Sequence, residues 1–117
     1  GFFIYENEGD GRILSINEEV LRLFECDSVE EFSKITDGYF KGMVHKDDYL
    51  RVKAEIYQQI SESKNKMDYV EYRIVTRKGN VKYVYDYGHL QADDNSQNLF
   101  YVFIKLVPSI FYTISSI

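Results

Sequence analysis

Asp68-Tyr-Val-Glu-Tyr-Arg-Ile-Val-Thr76 has the β-branched and aromatic composition of a β-strand. Arg77-Lys-Gly-Asn80 follows it with turn chemistry, and Val81-Lys-Tyr-Val-Tyr-Asp-Tyr87 resumes the strand composition. A polar segment, residues 92–98, then leads into Leu99-Phe-Tyr-Val-Phe-Ile-Lys-Leu106, which is apolar at nearly every position. These residues predict a hairpin followed by a third strand that lies inside the same sheet.

A shorter hairpin is expected at the N-terminus. Gly1-Phe-Phe-Ile-Tyr5 is an apolar run, and Asn7-Glu-Gly-Asp-Gly11 favours a tight turn through its glycines and aspartate. Arg12-Ile-Leu-Ser-Ile16 then gives a second short strand.

Short helices are predicted between the two groups of strands. Asn17 can accept hydrogen bonds from the first amides of a helix. Ser28-Val-Glu-Glu31 has the capping-box pattern, in which Ser28 and Glu31 each satisfy a backbone amide of the other residue. Residues 36–43 are less regular and predict a loop that contains about one helical turn.

The longest helix is predicted after Asp47, which we expect to cap it. The helix should run to about Ser63. Its apolar residues recur at spacings of three and four and so lie on one face: Tyr49, Val52, Ile56 and Ile60. Asp47 and Asp48 could alternatively form a paired-carboxylate catalyst, but both are residue types that favour a helix start, and we interpret them as capping residues.

The order of elements predicts an α+β domain. Two strands come first, the helices follow, and three strands end the chain, so a five-stranded antiparallel sheet with helices on one face is expected. The 117 residues suffice for one domain with a hydrophobic core. Residues 99–106 are apolar on both strand faces, so one helical layer leaves an apolar face to be covered.

Composition and charge exclude several classes of function. The net charge of −5 and the pI near 5.0 disfavour a nucleic-acid surface, since phosphate binding needs clustered Lys and Arg. The single cysteine, Cys26, excludes an internal disulfide, and no apolar run approaches the roughly 20 residues of a membrane span. A cytoplasmic location is expected. Because the chain opens at Gly1 without an initiator methionine, we interpret it as a segment of a longer protein.

Six short motifs follow one another along the chain, and their order and spacing are informative: Gly11-Arg-Ile-Leu-Ser-Ile-Asn17, Leu23-Phe24, Ser28-Val-Glu-Glu-Phe32, Val44-His-Lys-Asp-Asp48, Glu71-Tyr-Arg-Ile74 and Lys78-Gly79. Together they resemble a PAS domain, the sensory and dimerisation module of bacterial signalling proteins. The resemblance covers residues 1–107. It implies the strand order 2-1-5-4-3 and a small core or ligand cavity between the sheet and the helices.

The resemblance also implies a role. The chain looks most like PAS segments that precede diguanylate cyclase, phosphodiesterase or histidine kinase domains. It is therefore expected to be a non-catalytic module that forms a homodimer and regulates an output domain elsewhere in the full-length chain. Residues 108–117 are expected to form a C-terminal tail or linker, with Pro108 ending the last strand.

Two departures from the family bear on cofactors. Flavin-binding relatives carry an Asn-Cys-Arg-Phe-Leu-Gln motif, whereas Cys26 lies in Phe24-Glu-Cys-Asp-Ser28. Haem-binding relatives take a histidine from the long helix or near it, and residues 47–63 contain none. Neither flavin nor haem is predicted, and a small ligand of unknown identity stays open. Its family-like cavity would be lined by residues that core filling explains equally well: Tyr39, Phe40, Met43, Val52, Ile56, Tyr72 and Ile74.

A stripe of tyrosines is the candidate interface. Tyr83, Tyr85 and Tyr87 alternate along one strand and so share a face, with His89 in line. Tyrosine offers a large apolar area with a polar tip and is favoured at interfaces, but the same pattern fits ordinary packing of a half-buried sheet. The candidate interface residues are Tyr83, Tyr85, Tyr87, Tyr101 and Phe103.

An enzyme is the alternative function. In a small cone-shaped α+β fold of the ketosteroid-isomerase type, a pocket carboxylate and tyrosines perform proton transfer. Asp86 among the tyrosines motivates this hypothesis, although it lies on the opposite strand face from Tyr83, Tyr85 and Tyr87. A buried Asp86 with a raised pKa beside a tyrosine hydroxyl would favour the enzyme, and a solvated Asp86 would end that hypothesis.

Three further residue groups have plain interpretations. His45 beside two aspartates lacks a converging set of metal ligands, so we interpret it as a loop histidine held by a helix N-terminus. Cys26 has no basic neighbour in the local sequence and is expected to be a passive, semi-buried thiol. Glu71 and Arg73 share a strand face and could form an ion pair of little energetic weight.

Overall fold

The computed structural model describes residues 1–108 of the chain. Its helices and strands follow one another as β1 (Phe2–Glu6), β2 (Ile13–Ile16), α1 (Glu18–Leu23), α2 (Val29–Thr36), α3 (Phe40–Met43), α4 (Tyr49–Glu62), β3 (Met67–Val75), β4 (Val81–Ala92) and β5 (Asn98–Leu106). None of the helices within residues 1–108 is long and apolar enough to cross a membrane.

One antiparallel sheet contains all five of these strands, in the order β2-β1-β5-β4-β3. This confirms both the predicted fold class and the predicted strand order. The most apolar strand, β5, lies between β1 and β4, as its composition indicated. A strand in that position is hydrogen-bonded on both edges, which suits a segment that is apolar on both faces.

The hydrophobic core lies between the sheet and the helices. Alternate residues of every long strand point into it, as period-two geometry requires, and Phe3, Val84 and Val102 are almost fully buried there. The predicted apolar face of α4 joins the same core, as expected from its spacing: Tyr49, Val52, Ile56 and Ile60. The opposite face of the sheet carries no helix from residues 1–108.

The start of α4 differs from the sequence prediction. Asp48, not Asp47, is the N-cap residue, and its side chain makes no capping hydrogen bond. Its carboxylate instead accepts three hydrogen bonds from Arg73 on β3: 2.9 Å from the amide, 3.1 Å from Nε and 2.7 Å from Nη2. The prediction that Asp47 caps the helix was therefore wrong. The Asp48 side chain makes no cap hydrogen bond because its charge-assisted bidentate pair with arginine outweighs one such bond. Arg73 accordingly pairs with Asp48 and not with Glu71.

The predicted capping box is half correct. Ser28 Oγ accepts a hydrogen bond from the Glu31 amide at 3.2 Å, and α2 begins at Val29, directly after Ser28. Glu31 does not return the bond to Ser28 but accepts one from the Asp27 amide at 2.7 Å. The glutamate thus caps one residue further toward the N-terminus than the pattern predicts. Asn17 caps α1 as expected, by accepting a hydrogen bond from the Val20 amide.

Side chains of α4 are fastened along the free edge of β3. The side-chain amide of Gln59 accepts from the Tyr69 amide at 2.7 Å and donates to the Tyr69 carbonyl at 2.8 Å. Arg51 donates to the Glu71 carbonyl at 3.0 Å, and Asp48 accepts from the Arg73 amide. Polar groups of α4 thereby bond β3 backbone groups that no strand reaches.

The end of the sheet agrees with the expected role of Pro108. The Val107 amide still donates to the Tyr83 carbonyl at 2.9 Å, and Pro108, which has no amide, follows it. The rest of the predicted tail, residues 109–117, lies outside the described residues. The boundary between domain and tail therefore stays a prediction.

Candidate functional site

A small cavity lies between the β1–β2 turn, α4 and the sheet, with a volume of about 30 Å³. This volume holds roughly two water molecules and is far below the several hundred Å³ of a typical small-molecule site. Five aromatic residues contribute to its wall: Tyr5, Phe40, Tyr49, Tyr57 and Phe100.

The aromatic wall is a packed stack. The Tyr5 ring lies 4.4 Å from the Phe40 ring, nearly parallel to it at 5°, and 4.9 Å from the Phe100 ring on its other side. Both distances are in the range of favourable ring pairs. The inner wall of the cavity is therefore rigid, and an entering group would have to displace residues at its mouth.

The mouth of the cavity is mostly acidic. Glu6, Glu8 and Asp10 line it, and the Glu6 carboxylate forms an ion pair with Arg12 at 2.5 Å. The one basic side chain in the lining belongs to Lys53 on α4. Its ammonium lies 6.0 Å from the centroid of the Tyr49 ring and 6.0 Å from that of Tyr57.

A buried acidic cluster lies on the inner face of β3 and β4. Asp86 is 1 % exposed, and the Tyr72 hydroxyl donates a hydrogen bond to its Oδ2 at 2.7 Å. Burial raises the pKa of Asp86 well above its usual range, and nearby Asp68 adds to the rise, although the hydrogen bond from Tyr72 opposes it. Burial therefore favours the neutral form of Asp86.

Asp68 is the second acid of this cluster. It is 4 % exposed, and neither carboxyl oxygen has a hydrogen-bond partner among residues 1–108. Burial raises its pKa to about 7, so the carboxyl is partly ionised at neutral pH. The cluster and the cavity meet at Tyr5, which lines the cavity and whose pKa is raised by burial, then by Asp86 and Asp68.

The residues predicted to line a pocket are only partly brought together. Phe40 and Ile56 line the cavity. Met43, Val52, Tyr72 and Ile74 are buried in the core, and Tyr39 is 40 % exposed. Whether these residues form a ligand site stays a prediction. Sequence reasoning missed Tyr5, which lines the cavity, and Asp68, which acts electrostatically on Tyr5.

The predicted interface residues do share the outer face of the sheet. The strand registers align Phe2, Phe103, Tyr87 and Tyr69 in one row across β1, β5, β4 and β3. Phe2 and Phe103 are in ring contact at 5.1 Å, as are Tyr69 and Tyr87 at 4.7 Å. Phe103 is 65 % exposed. We call these four residues the outer aromatic row.

His45 and Cys26 have structural surroundings. His45 Nδ1 accepts a hydrogen bond from the Asp47 amide at 3.0 Å, just before α4. Within residues 1–108 no three His, Cys, Asp or Glu side chains are grouped so that they could hold a metal ion. Cys26 is buried, more deeply than expected, and burial raises the pKa of its thiol, which disfavours the reactive thiolate.

The sequence profile of the PAS fold matches residues 13–104, which is most of the chain. The chain belongs to the PAS family. The match confirms the resemblance seen in the sequence. No curated protein matches the chain at a significant level.

Solved PAS structures superpose on nearly all of this domain. A sensory box histidine kinase/response regulator from Burkholderia thailandensis has a TM-score of 0.66 and 14 % identity, with 99 % of this chain and 82 % of that chain covered. The PAS domain of a two-component sensor histidine kinase gives 0.67 and 19 %, with 91 % and 83 % covered. The N-terminal domain of a diguanylate cyclase with a PAS/PAC sensor from Marinobacter aquaeolei gives 0.59 and 16 %, with 90 % and 92 % covered.

These identities establish the fold and not the ligand or the output. Together with the family match, they make the chain a domain of PAS fold that is similar to domains of histidine kinases and diguanylate cyclases. Any ligand or output of this domain must be argued from its own residues.

Proposed function

We propose that this PAS domain is the sensory module of a larger bacterial signalling protein, in which it binds a small ligand at the aromatic cavity and regulates an output domain. The observation that carries the proposal is the unpartnered, buried carboxyl of Asp68 close to that cavity. A cytoplasmic location, and the absence of catalysis by the domain itself, belong to the same proposal.

The energetics of Asp68 favour a binding role. Burying a polar group without a hydrogen bond costs about 1–3 kcal/mol, and an ionised carboxyl costs more. A replacement by valine or leucine would remove this cost from the core. Departures from good core design are concentrated at functional sites, where a ligand or a conformational change compensates them.

A ligand at the cavity would act on α4. Tyr49, Lys53 and Tyr57 project from this helix into the cavity lining, while Asp48 and Gln59 tie the same helix to the edge of β3. A bound molecule that favours one position of α4 over another shifts the population of the two states by its differential affinity. The sheet then transmits the change to its outer face.

We propose that the outer face is where two copies of the domain associate. The outer aromatic row is flanked by Tyr85 and Tyr101, so large rings with polar tips form a continuous surface across four strands. Such a surface is uncommon on a monomer and has the composition of interface cores. The five residues singled out in the sequence lie on this face.

Native mass spectrometry of the purified chain tests both parts. A dimer with extra mass is expected, and the mass identifies the ligand. Phe103→Glu should give monomers, since it places a charge at the centre of the outer aromatic row. Leu50→Glu is the control, because Leu50 is an even more exposed apolar residue on α4, away from this face. Equal dimer fractions for the two variants would rule out the outer face.

A proton-transfer enzyme is the second candidate. The burial of Asp86, its raised pKa and its 2.7 Å hydrogen bond with Tyr72 meet the condition stated for this hypothesis. However, neither residue lines the described cavity. Isomerisation of an unsaturated ketosteroid that Asp86→Asn abolishes would support the enzyme, and no turnover by the wild type would end this hypothesis.

A further inference from the structure

We propose that the ligand of this PAS domain is a small organic cation, an amine or a quaternary ammonium, which binds between Tyr49 and Tyr57 in the place that the Lys53 ammonium occupies. This inference rests on the proposed sensory function and names the chemical class of its ligand. Three observations support it: the position of Lys53, the acidic residues at the mouth of the cavity, and the carboxyl of Asp68, which has no hydrogen-bond partner within residues 1–108 and acts electrostatically on Tyr5.

Ammonium groups lie near the tyrosines of the cavity wall: Lys41 Nζ is 5.7 Å from the centroid of the Tyr49 ring, and Lys53 is close to both Tyr49 and Tyr57. Lys53 Nζ is 6.0 Å from each of two ring centroids, which is within the range of cation–π attraction. No carboxylate among residues 1–108 lies within ion-pair distance of it, although Glu8 and Asp10 line the same cavity. Lys53 is thus an internal stand-in for a cationic ligand.

The charges around the cavity favour the same class of ligand. Glu6 is neutralised by Arg12, but Glu8 and Asp10 have no ion-pair partner within residues 1–108. Asp68 acts electrostatically on Tyr5 in the cavity lining, and its carboxyl gains a favourable interaction from any positive charge that comes near it. An anionic ligand would meet the carboxylates of Glu8 and Asp10 at the mouth.

The size of the cavity determines how the ligand enters. About 30 Å³ is too small for an organic cation, so Lys53 has to move out. Its long side chain stands on a helix near the half-exposed Tyr57 and can turn into solvent. One cation replaces another in this exchange, so the charge balance of the site is preserved. The Lys53 side chain thereby competes with the ligand for the same place and lowers the apparent affinity of the site.

Choline and its neutral isostere, in which a carbon atom replaces the nitrogen, provide the test. Isothermal titration of the purified chain should detect choline and not the isostere, with at least about a fivefold difference in affinity, the usual worth of a cation–π contact. Lys53→Met removes the competing ammonium, keeps the length of the chain, and should strengthen choline binding several-fold. Equal affinity for the two compounds would overturn the inference.

Two variants locate the site. Tyr57→Leu should weaken the binding of choline to the Lys53→Met protein by about threefold to thirtyfold, because one of the two rings is lost. Leu50→Ala is the control, since Leu50 is an exposed apolar residue on the same helix that does not line the cavity, and it should leave the affinity unchanged. Equal losses in both variants would place choline elsewhere and contradict the proposal.

Failure of this inference and failure of the sensory proposal give different results. If the chain retains a neutral or anionic molecule in native mass spectra and does not bind choline, the proposed sensory function is kept and the proposed cationic ligand is rejected. If the Lys53→Met protein binds neither choline nor any molecule from the cell, both are wrong. A retained amine that Tyr57→Leu releases and Leu50→Ala does not release would support both.

Discussion

Asp68 faces Gly88 across the β3–β4 ladder, and a Cβ added at Gly88 would lie 2.4 Å from Asp68 Oδ2. The carboxyl therefore fills the space that a side chain on the neighbouring strand would occupy. It is held there without a hydrogen-bond donor from residues 1–108, in a region that water does not reach. This pair of residues leads to the first two predictions.

The stability of the domain should depend on the protonation of Asp68. Its pKa rises from 3.8 to about 7 on folding, so the folded state binds this proton more tightly and loses stability as the pH rises from 4 to 7. Asp68→Asn removes this loss. Relative to the wild type, the variant should gain stability between pH 4.5 and pH 8, by up to about 4 kcal/mol.

Urea denaturation at several pH values measures this gain. Asp47→Asn is the control, because Asp47 is an exposed aspartate on the surface, and this variant should differ little in stability from the wild type. A difference between Asp68→Asn and the wild type that stays constant from pH 4.5 to pH 8 would show that Asp68 has an ordinary pKa.

Gly88→Ala should destabilise the domain by about 1–3 kcal/mol, the usual cost of overpacking a core. The added methyl group meets the Asp68 carboxyl and not flexible solvent-exposed atoms. Asp68→Ala in the same chain should restore most of the loss, since it vacates the space. A double-mutant cycle from urea denaturation measures the coupling, and additive effects of the two changes would contradict the contact.

Asp48 should be the aspartate that stabilises the start of α4, and Asp47 should not. Hydrogen bonds from Arg73 hold the pKa of Asp48 at about 2, below its ordinary 3.8. This contributes about 2 kcal/mol that is present above pH 4 and is lost as the pH falls through 2. Asp48→Asn should therefore cost roughly this amount at pH 7, whereas Asp47→Asn, measured by the same denaturation, should cost almost nothing.

Tyr72→Phe should destabilise the domain by about 1–3 kcal/mol, because it leaves a buried oxygen of Asp86 without its donor. It should also raise the pKa of Asp86 further, since this hydrogen bond opposes the effect of burial. Carbon-detected NMR of the carboxyl groups reports that pKa directly. An unchanged titration curve for Asp86 would mean that the Tyr72 hydroxyl does not bond to it.

Local patterns were enough to predict most of the fold. Period-two and helical spacings located the strands and the face of α4, and the family resemblance supplied the strand order. The strand composition located β4 over residues 81–87, and the strand continues to Ala92. An interior glycine such as Gly88 weakens a strand in the absence of a packing reason. Here the Asp68 carboxyl on the neighbouring strand fills the space beside Gly88.

The candidate site was harder to predict, since its key contacts join distant parts of the chain. Asp48 and Arg73 are 25 residues apart, and local residue types made capping the simpler interpretation of Asp48. Strand alternation does place Asp68 on the same face as Val70 and Tyr72, so its inward position was readable from the sequence. The lack of a hydrogen-bond partner for Asp68 could not be predicted from the sequence, because it depends on every element packed around the carboxyl.

The hydrogen bonds from α4 to β3 also decide how the domain can aggregate. An edge strand normally offers a row of free amides and carbonyls that can recruit a strand from another molecule. Here Gln59, Arg51 and Asp48 occupy backbone groups of Tyr69, Glu71 and Arg73, so a foreign strand would first have to pull the helix away. The α4 helix is thus a guard against amyloid-like growth at this edge, and its loosening would expose the sheet to strand addition.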